Sequence, residues 1–274
     1  MAAVEQGTVN AAVINIKNMH GEVTFNCSST LAQEIGANTG RLDLSTLLPE
    51  LSHNGLYLIA RQVLFYDPKL ARHLGHSESW VSPMDQRVVD YNLEIAREAA
   101  ELGFDEIQFD YVRFPDGGEL LPVYEDRYTA ISSFLQRARM LLSGKAVVSA
   151  DVFGRTMWSW NTRKIDPIGQ SLEEISTHVD FISPMLYPSH YNEERYKNDP
   201  YLVVKDALTT GRTRIDTPFR PFLQAFDRAI PPTMTLEDYI KAQVSAAIDN
   251  GADGYLFWHP ACDYASLYKA LAER

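Results

Sequence analysis

The chain has 274 residues, 45% of them hydrophobic, and a formal charge of -11. That length suits one α/β barrel domain around a single core, and the acidic surplus argues against nucleic acid or an anionic membrane surface, which need clustered cations on their partner. No apolar run approaches the roughly 20 residues of a bilayer span, and the opening residues lack the basic and apolar regions of a signal peptide.

Short apolar runs alternate with amphipathic stretches from end to end, the pattern of successive βα units around a parallel sheet. Seven runs are predicted as strands: Ala12 to Lys17, Leu56 to Val63, Glu106 to Tyr111, Ala146 to Val152, Phe181 to Met185, Pro221 to Ala225 and Gly254 to Trp258. After the first, the turn-rich piece Met19 to Gly40 is expected to leave the barrel as a hairpin and a short helix at its mouth. Ser82-Pro83 with Asp85 predicts a helix start, followed by Val88, Tyr91, Ile95, Ala99 and Leu102 on one face and a stop at Gly103. Further helices are expected over Tyr124 to Leu142 and Tyr264 to Leu271, with capping boxes at Ser171/Glu174 and Thr235/Asp238. Seven strands leave a TIM-type (β/α)8 barrel one short, and an open edge would expose unpaired backbone groups. The expectation is therefore a single catalytic barrel domain over 1–274 whose first strand is missing through N-terminal truncation.

Chemistry concentrates at the predicted strand ends. In Glu106-Ile107-Gln108-Phe109-Asp110, period-two alternation puts Glu106, Gln108 and Asp110 on one face. With that face toward the axis, Asp110 stands at the top of the strand, where barrel enzymes place catalytic groups, and Arg113 is expected to hold its carboxylate ionised. The next strand repeats the design, with Ser149 and Asp151 on one face just before Gly154. Neighbouring strands lie about 4.8 Å apart, so two strand-end carboxylates fall in the range used to cleave a glycosidic bond. Asp110 and Asp151 are thus the candidate catalytic pair, one as nucleophile or base and the other, kept protonated by burial, as acid. A buried polar layer filling the barrel is the structural alternative. Tyr187, His190, Gln224 and Trp258 cluster at later strand ends, where aromatic faces stack on sugar rings and polar groups meet hydroxyls. With Gln108 and Arg113 they form the expected substrate-binding set. Lys17 and Arg61 complete it; both interrupt apolar strands and are expected to face Asp110 or Asp151.

Cys27 and Cys262 have neither a disulfide-scaffold pattern nor metal-ligand spacing. With no phosphate loop, His/Cys/Asp/Glu cluster or Gly-x-Ser-x-Gly elbow in the sequence, no cofactor or metal is expected.

Taken together, Ala60-Arg61, Trp80 to Pro83, Gly103 to Pro115, Ser149 to Gly154, Pro184 to Tyr191, Arg220 to Phe226 and Leu256 to Trp258 resemble a bacterial family of glycosyl-hydrolase-like barrels carried as a domain of unknown function. The resemblance spans nearly the whole chain and implies a barrel fold, a carbohydrate substrate and a secreted or envelope location. Members usually carry a further strand before the first one here, and aspartates where this chain has Asn15 and Asn18. Chitinases place a glutamate at the position of Val112, in a run that here reads Asp105, Gln108, Asp110, Val112, so their substrate-assisted chemistry is not expected.

The leading expectation is a glycoside hydrolase acting on a cell-wall or extracellular glycan. A non-catalytic glycan-binding barrel, suggested by Asn15 and Asn18, is the alternative. A lyase or isomerase acting on a small anion is suggested only by Lys17 and Arg61; finding those cations already bonded to the strand-end acids would count against it.

Overall fold

Alternating patterns of apolar and polar residues resolve into strands wherever β-branched and aromatic residues form runs. The computed structural model describes residues 2–117 and 124–272. Among these the strands are β1 (Ala11–Lys17), β2 (Val23–Phe25), β3 (Asn38–Leu42), β4 (Tyr57–Val63), β5 (Glu106–Asp110), β6 (Val147–Phe153), β7 (Phe181–Met185), β8 (Phe222–Gln224) and β9 (Leu256–Trp258). They form one sheet in the order β3-β2-β1-β4-β5-β6-β7-β8-β9. From β1 through β9 every neighbouring pair except the excursion is parallel, and the helices that intervene return the chain to the same end of the sheet each time. This is the mixed α/β, TIM-barrel type of fold.

All seven expected barrel strands are present, with no end shifted by more than two residues. The excursion departs from expectation in one respect. Its hairpin (β1 with β2, Lys17 opposite Val23) and short helix (Thr30–Glu34) are there, but a further strand, β3, then pairs parallel to β2. No hydrogen-bonded pairing joins β9 to β1 among the described residues. Side chains nevertheless meet across the barrel, since the Arg61 guanidinium on β4 lies 5.4 Å from the Trp258 ring on β9.

The two faces of each strand have different work. Outward residues such as Ile107, Phe109, Val148, Ala150, Val152 and Ile182 are buried against the helix layer, where removal of apolar area from water supplies the main stabilisation. Inward residues are mixed: Ile59, Phe222 and Leu256 form a small apolar cluster, while Glu106, Gln108, Ser149 and Ser183 are fully buried polar groups on the same side of the sheet.

The helix Gln86–Leu102 begins three residues later than the Ser82-Pro83 signal suggests. Asp85 is its N-cap, accepting a hydrogen bond from the Arg87 amide at 2.9 Å, because a carboxylate satisfies the first-turn N–H groups and favours the positive end of the helix dipole. Its stop at Gly103, with φ 109°, is as expected, while Leu102 in the last turn is 42% exposed rather than buried. Ser171 and Thr235 cap their helices as expected, accepting from the amides of Glu174 and Asp238.

Candidate active site

The site is assembled by the C-terminal ends of β4 to β9. Gln108 pairs with Ser149 and Phe109 with Ala150 in the β5–β6 register, so Asp110 and Asp151 come next, side by side on neighbouring strands, whose backbones are about 4.8 Å apart.

Asp110 accepts three hydrogen bonds. One oxygen, Oδ2, accepts from Arg61 Nε at 2.9 Å and from Arg61 Nη2 at very short range; the other, Oδ1, accepts from the Tyr111 amide at 2.6 Å. That last bond depends on backbone shape, for Tyr111 has φ 52°. A left-handed conformation at a bulky residue is uncommon and tends to occur at functional sites. Arg61 also donates from Nη1 to Asn15 Oδ1 at 2.6 Å, so β1, β4 and β5 are tied at one end. A charge-assisted fork of this kind fixes a carboxylate in place.

Asp151 is the opposite case. It is 2% exposed, and its Oδ1 meets no donor among the described residues. Burial first, then the neighbouring Asp110 carboxylate, push its pKa well above the usual range, with Arg61 pulling the other way. Low-dielectric surroundings and a like charge both disfavour ionisation, so the site favours the neutral form of Asp151.

Above the two acids lies Tyr187, 8% exposed. Burial, then Asp151 and Asp110, push its phenol pKa up, leaving the hydroxyl a hydrogen-bond donor near both. Its ring packs on His190 at 5.3 Å and Phe226 at 5.7 Å. Burial, and secondarily Arg228, lower the His190 pKa, which makes that imidazole neutral near pH 7. The half-buried Trp258 completes the wall over Arg61.

Four of the expected contact residues have other occupations. Lys17, expected to face Asp110 or Asp151, points to the outer side of the sheet, because the register slips between Asn15 and Lys17 and a bulge reverses a side chain's face. There it pairs with Asp67 at 2.8 Å, both side chains fully buried. Arg113, expected to hold Asp110 ionised, turns away after the left-handed Tyr111. Its guanidinium lies among the rings of Phe153 at 4.4 Å, Trp80 at 4.6 Å and Tyr111 at 5.2 Å; Arg61 takes the place assigned to it. Gln224 uses its whole amide on loop backbone, accepting from Ser189 N and donating to the carbonyls of Phe226 and Arg228. Gln108 is fully buried one layer below the acids and donates to Ser183 Oγ at 3.4 Å. Asn18 closes the β1–β2 turn, accepting from the amides of His20 and Glu22.

Sequence reasoning passed over Arg220, just before β8, which pairs with Glu106 beneath Asp151. An arginine opening an apolar strand is the same signal that Arg61 gave. A surface groove of about 790 Å3, lined by Leu31, Arg87, Tyr91, Arg137 and Met140, lies on the helix layer and holds none of these groups.

Gly154, just past β6, has no room for a side chain. A Cβ there would strike the Tyr191 hydroxyl and sit 2.6 Å from the Met185 carbonyl. Gly154→Ala is expected to destabilise the protein by about 1–3 kcal/mol through overpacking; an unchanged thermal midpoint would contradict this close approach.

Among solved structures, the glycoside hydrolase domain of PgaB (BpsB) from Bordetella bronchiseptica is similar at 14% identity with a TM-score of 0.73, over 98% of this chain and 90% of that one. The chitinase RmChi1 from Rhizomucor miehei is similar at 12% identity and TM-score 0.60, over 98% and 94%. An endo-1,4-beta-D-mannanase from Thermotoga petrophila RKU-1 is similar at 13% identity and TM-score 0.60, over 93% and 81%. At these identities the likeness is one of fold. No curated protein sequence matches the chain. A family profile described as "Putative glycosyl hydrolase domain" matches residues 1–264, and the chain belongs to that family.

Proposed function

We propose that the protein hydrolyses O-glycosidic bonds in a polysaccharide or oligosaccharide, a cell-wall or extracellular glycan, with Asp151 as general acid and Asp110 as the anionic partner. Asp151 gives its proton to the glycosidic oxygen as the bond to the anomeric carbon breaks, and Asp110 serves as nucleophile or as base for water on that carbon. Arg61 holds Asp110 in position, while the Tyr187 hydroxyl and the Trp258 ring contact the sugar. The observation that carries the reading is the contrast in environment: a buried acid with raised pKa beside a carboxylate fastened by three donors. A carboxyl whose surroundings favour its neutral form, beside a carboxylate held by a guanidinium, has the makings of an acid and an anion at one pH. Family membership and the barrel fold agree with it. The bonding of Arg61 to Asp110 and of Lys17 to Asp67 counts against the lyase alternative.

Among the described residues no helix is long and apolar enough to cross a membrane. The test is release of reducing ends from a panel of bacterial polysaccharides, with Asp110→Asn as the control. Release by the wild type and not by the variant supports the assignment. Retention of a polysaccharide without any release favours the glycan-binding alternative.

A further inference from the structure

Beneath the proposed catalytic pair lies a second set of charged groups that the hydrolytic scheme does not use. Glu106 is fully buried on β5, and its Oε1 accepts from Ser149 Oγ, two residues before Asp151 on the same face of β6, and from Arg220 Nη2. The other oxygen, Oε2, and the Nε of Arg220 meet no partner among the described residues. The groups facing Asp151 are Arg61 from β4, Glu106 and Asp110 from β5, Tyr187 after β7 and Arg220 before β8. Tyr57 of β4 faces Glu106 from below.

Counting charge in this space is decisive. Three carboxyls, Glu106, Asp110 and Asp151, share two guanidiniums, Arg61 and Arg220. Arg61 is claimed by Asp110 and Arg220 by Glu106. A buried carboxylate without a cation is too costly to persist and takes up a proton instead, and the carboxyl left over is Asp151.

We infer that Glu106 is a positioning residue for the active site: by holding Arg220 it keeps that cation from pairing with Asp151, and so leaves Asp151 as the carboxyl that carries the proton. The kinetic part of this inference rests on the hydrolase reading above; the protonation part does not. Glu106→Gln removes a neighbouring negative charge and frees Arg220, and both changes favour ionised Asp151. Because cleavage needs Asp151 protonated, the alkaline limb of the kcat/KM profile then moves to lower pH. A newly available cation supports a shift of about one to three pH units. The double variant Glu106→Gln/Arg220→Met removes both partners, restores the balance of Asp110 with Arg61, and is expected to return the limb toward the wild-type position. Glu106→Asp is expected to keep the limb near wild type. A merely structural role for Glu106 would lower activity or stability without moving the limb.

The test independent of catalysis is infrared difference spectroscopy. The carbonyl band of a protonated carboxylic acid, identified by its loss in Asp151→Asn, is expected at neutral pH in the wild type and the double variant and not in Glu106→Gln. Absence of that band from the wild type, or its persistence unchanged in Glu106→Gln, overturns the inference. If the spectra behave as expected but no glycan is cleaved, the hydrolase reading fails and the positioning role stands. If Glu106→Gln does not fold, Arg220→Met takes its place: it leaves Glu106 a buried carboxylate without a cation, so a second protonated-acid band is expected there, and an unchanged spectrum overturns the inference.

Discussion

Asparagine in place of Asp110 or of Asp151 is expected to lower glycan cleavage by at least about a hundredfold, the usual scale for removal of a general acid or base, while the fold survives. The two losses have different origins. Asp151→Asn removes the proton donor but leaves an uncharged side chain of nearly the same shape in a site that already favours the neutral form, so stability should hold. Asp110→Asn strips the anionic partner of Arg61, a guanidinium only 11% exposed, and leaves a nearly buried cation with neutral amide acceptors such as Asn15 in place of a charged one. That variant should therefore lose stability as well, and the comparison of kcat/KM with the thermal midpoint separates the effects. Full activity in either variant would remove it from the catalytic pair.

The largest expected effect on stability comes from Lys17→Met. The ammonium group lies between the Val63 carbonyl at 2.9 Å, the Asn92 Oδ1 at 3.2 Å and the Asp67 carboxylate at 2.8 Å, with no solvent exposure. Asp67 in turn caps the helix Pro68–His73 through the Leu70 amide. Methionine fills similar volume but leaves the Asp67 charge buried and uncompensated, a loss of about 3–5 kcal/mol. Set against a total stability of roughly 5–15 kcal/mol, such a loss would show plainly in the urea midpoint. Adding Asp67→Asn should recover part of it, because the stranded charge is then gone. If the single variant unfolds at the wild-type midpoint, the pair is not the fastening that its geometry suggests.

How much of this was legible in advance depended on whether the governing interactions were local. The barrel strands announced themselves because runs such as Val147 to Val152 combine β-branched residues with burial on both faces. β3 did not, since Asn38-Thr39-Gly40-Arg41-Leu42 is half exposed, has no alternation, and is a strand only because β2 offers it an edge. At the site, period two was enough to put Glu106, Gln108 and Asp110 on one face. It could not say which arginine would reach Asp110. Arg113 is close in sequence, yet one left-handed residue, Tyr111, sends it elsewhere. Arg220 lies 114 residues from its partner Glu106, and no local pattern connects them. Lys17 was misplaced for the same kind of reason: a buried cation's need for an acid does not say which acid, and a bulge turns it to the outer face, where Asp67 meets it.

The aromatic enclosure of Arg113 carries a last implication. A guanidinium held on three ring faces, with its chain neighbour Phe114 tied through its carbonyl, has few orientations open to it. The Arg113 side chain just past β5 is therefore ordered by packing within the chain, and preorganisation of this kind spares free energy that a mobile side chain would lose on any later contact. Lysine, a compact charge on a flexible stem without the flat stacking surface, would not reproduce that stiffness.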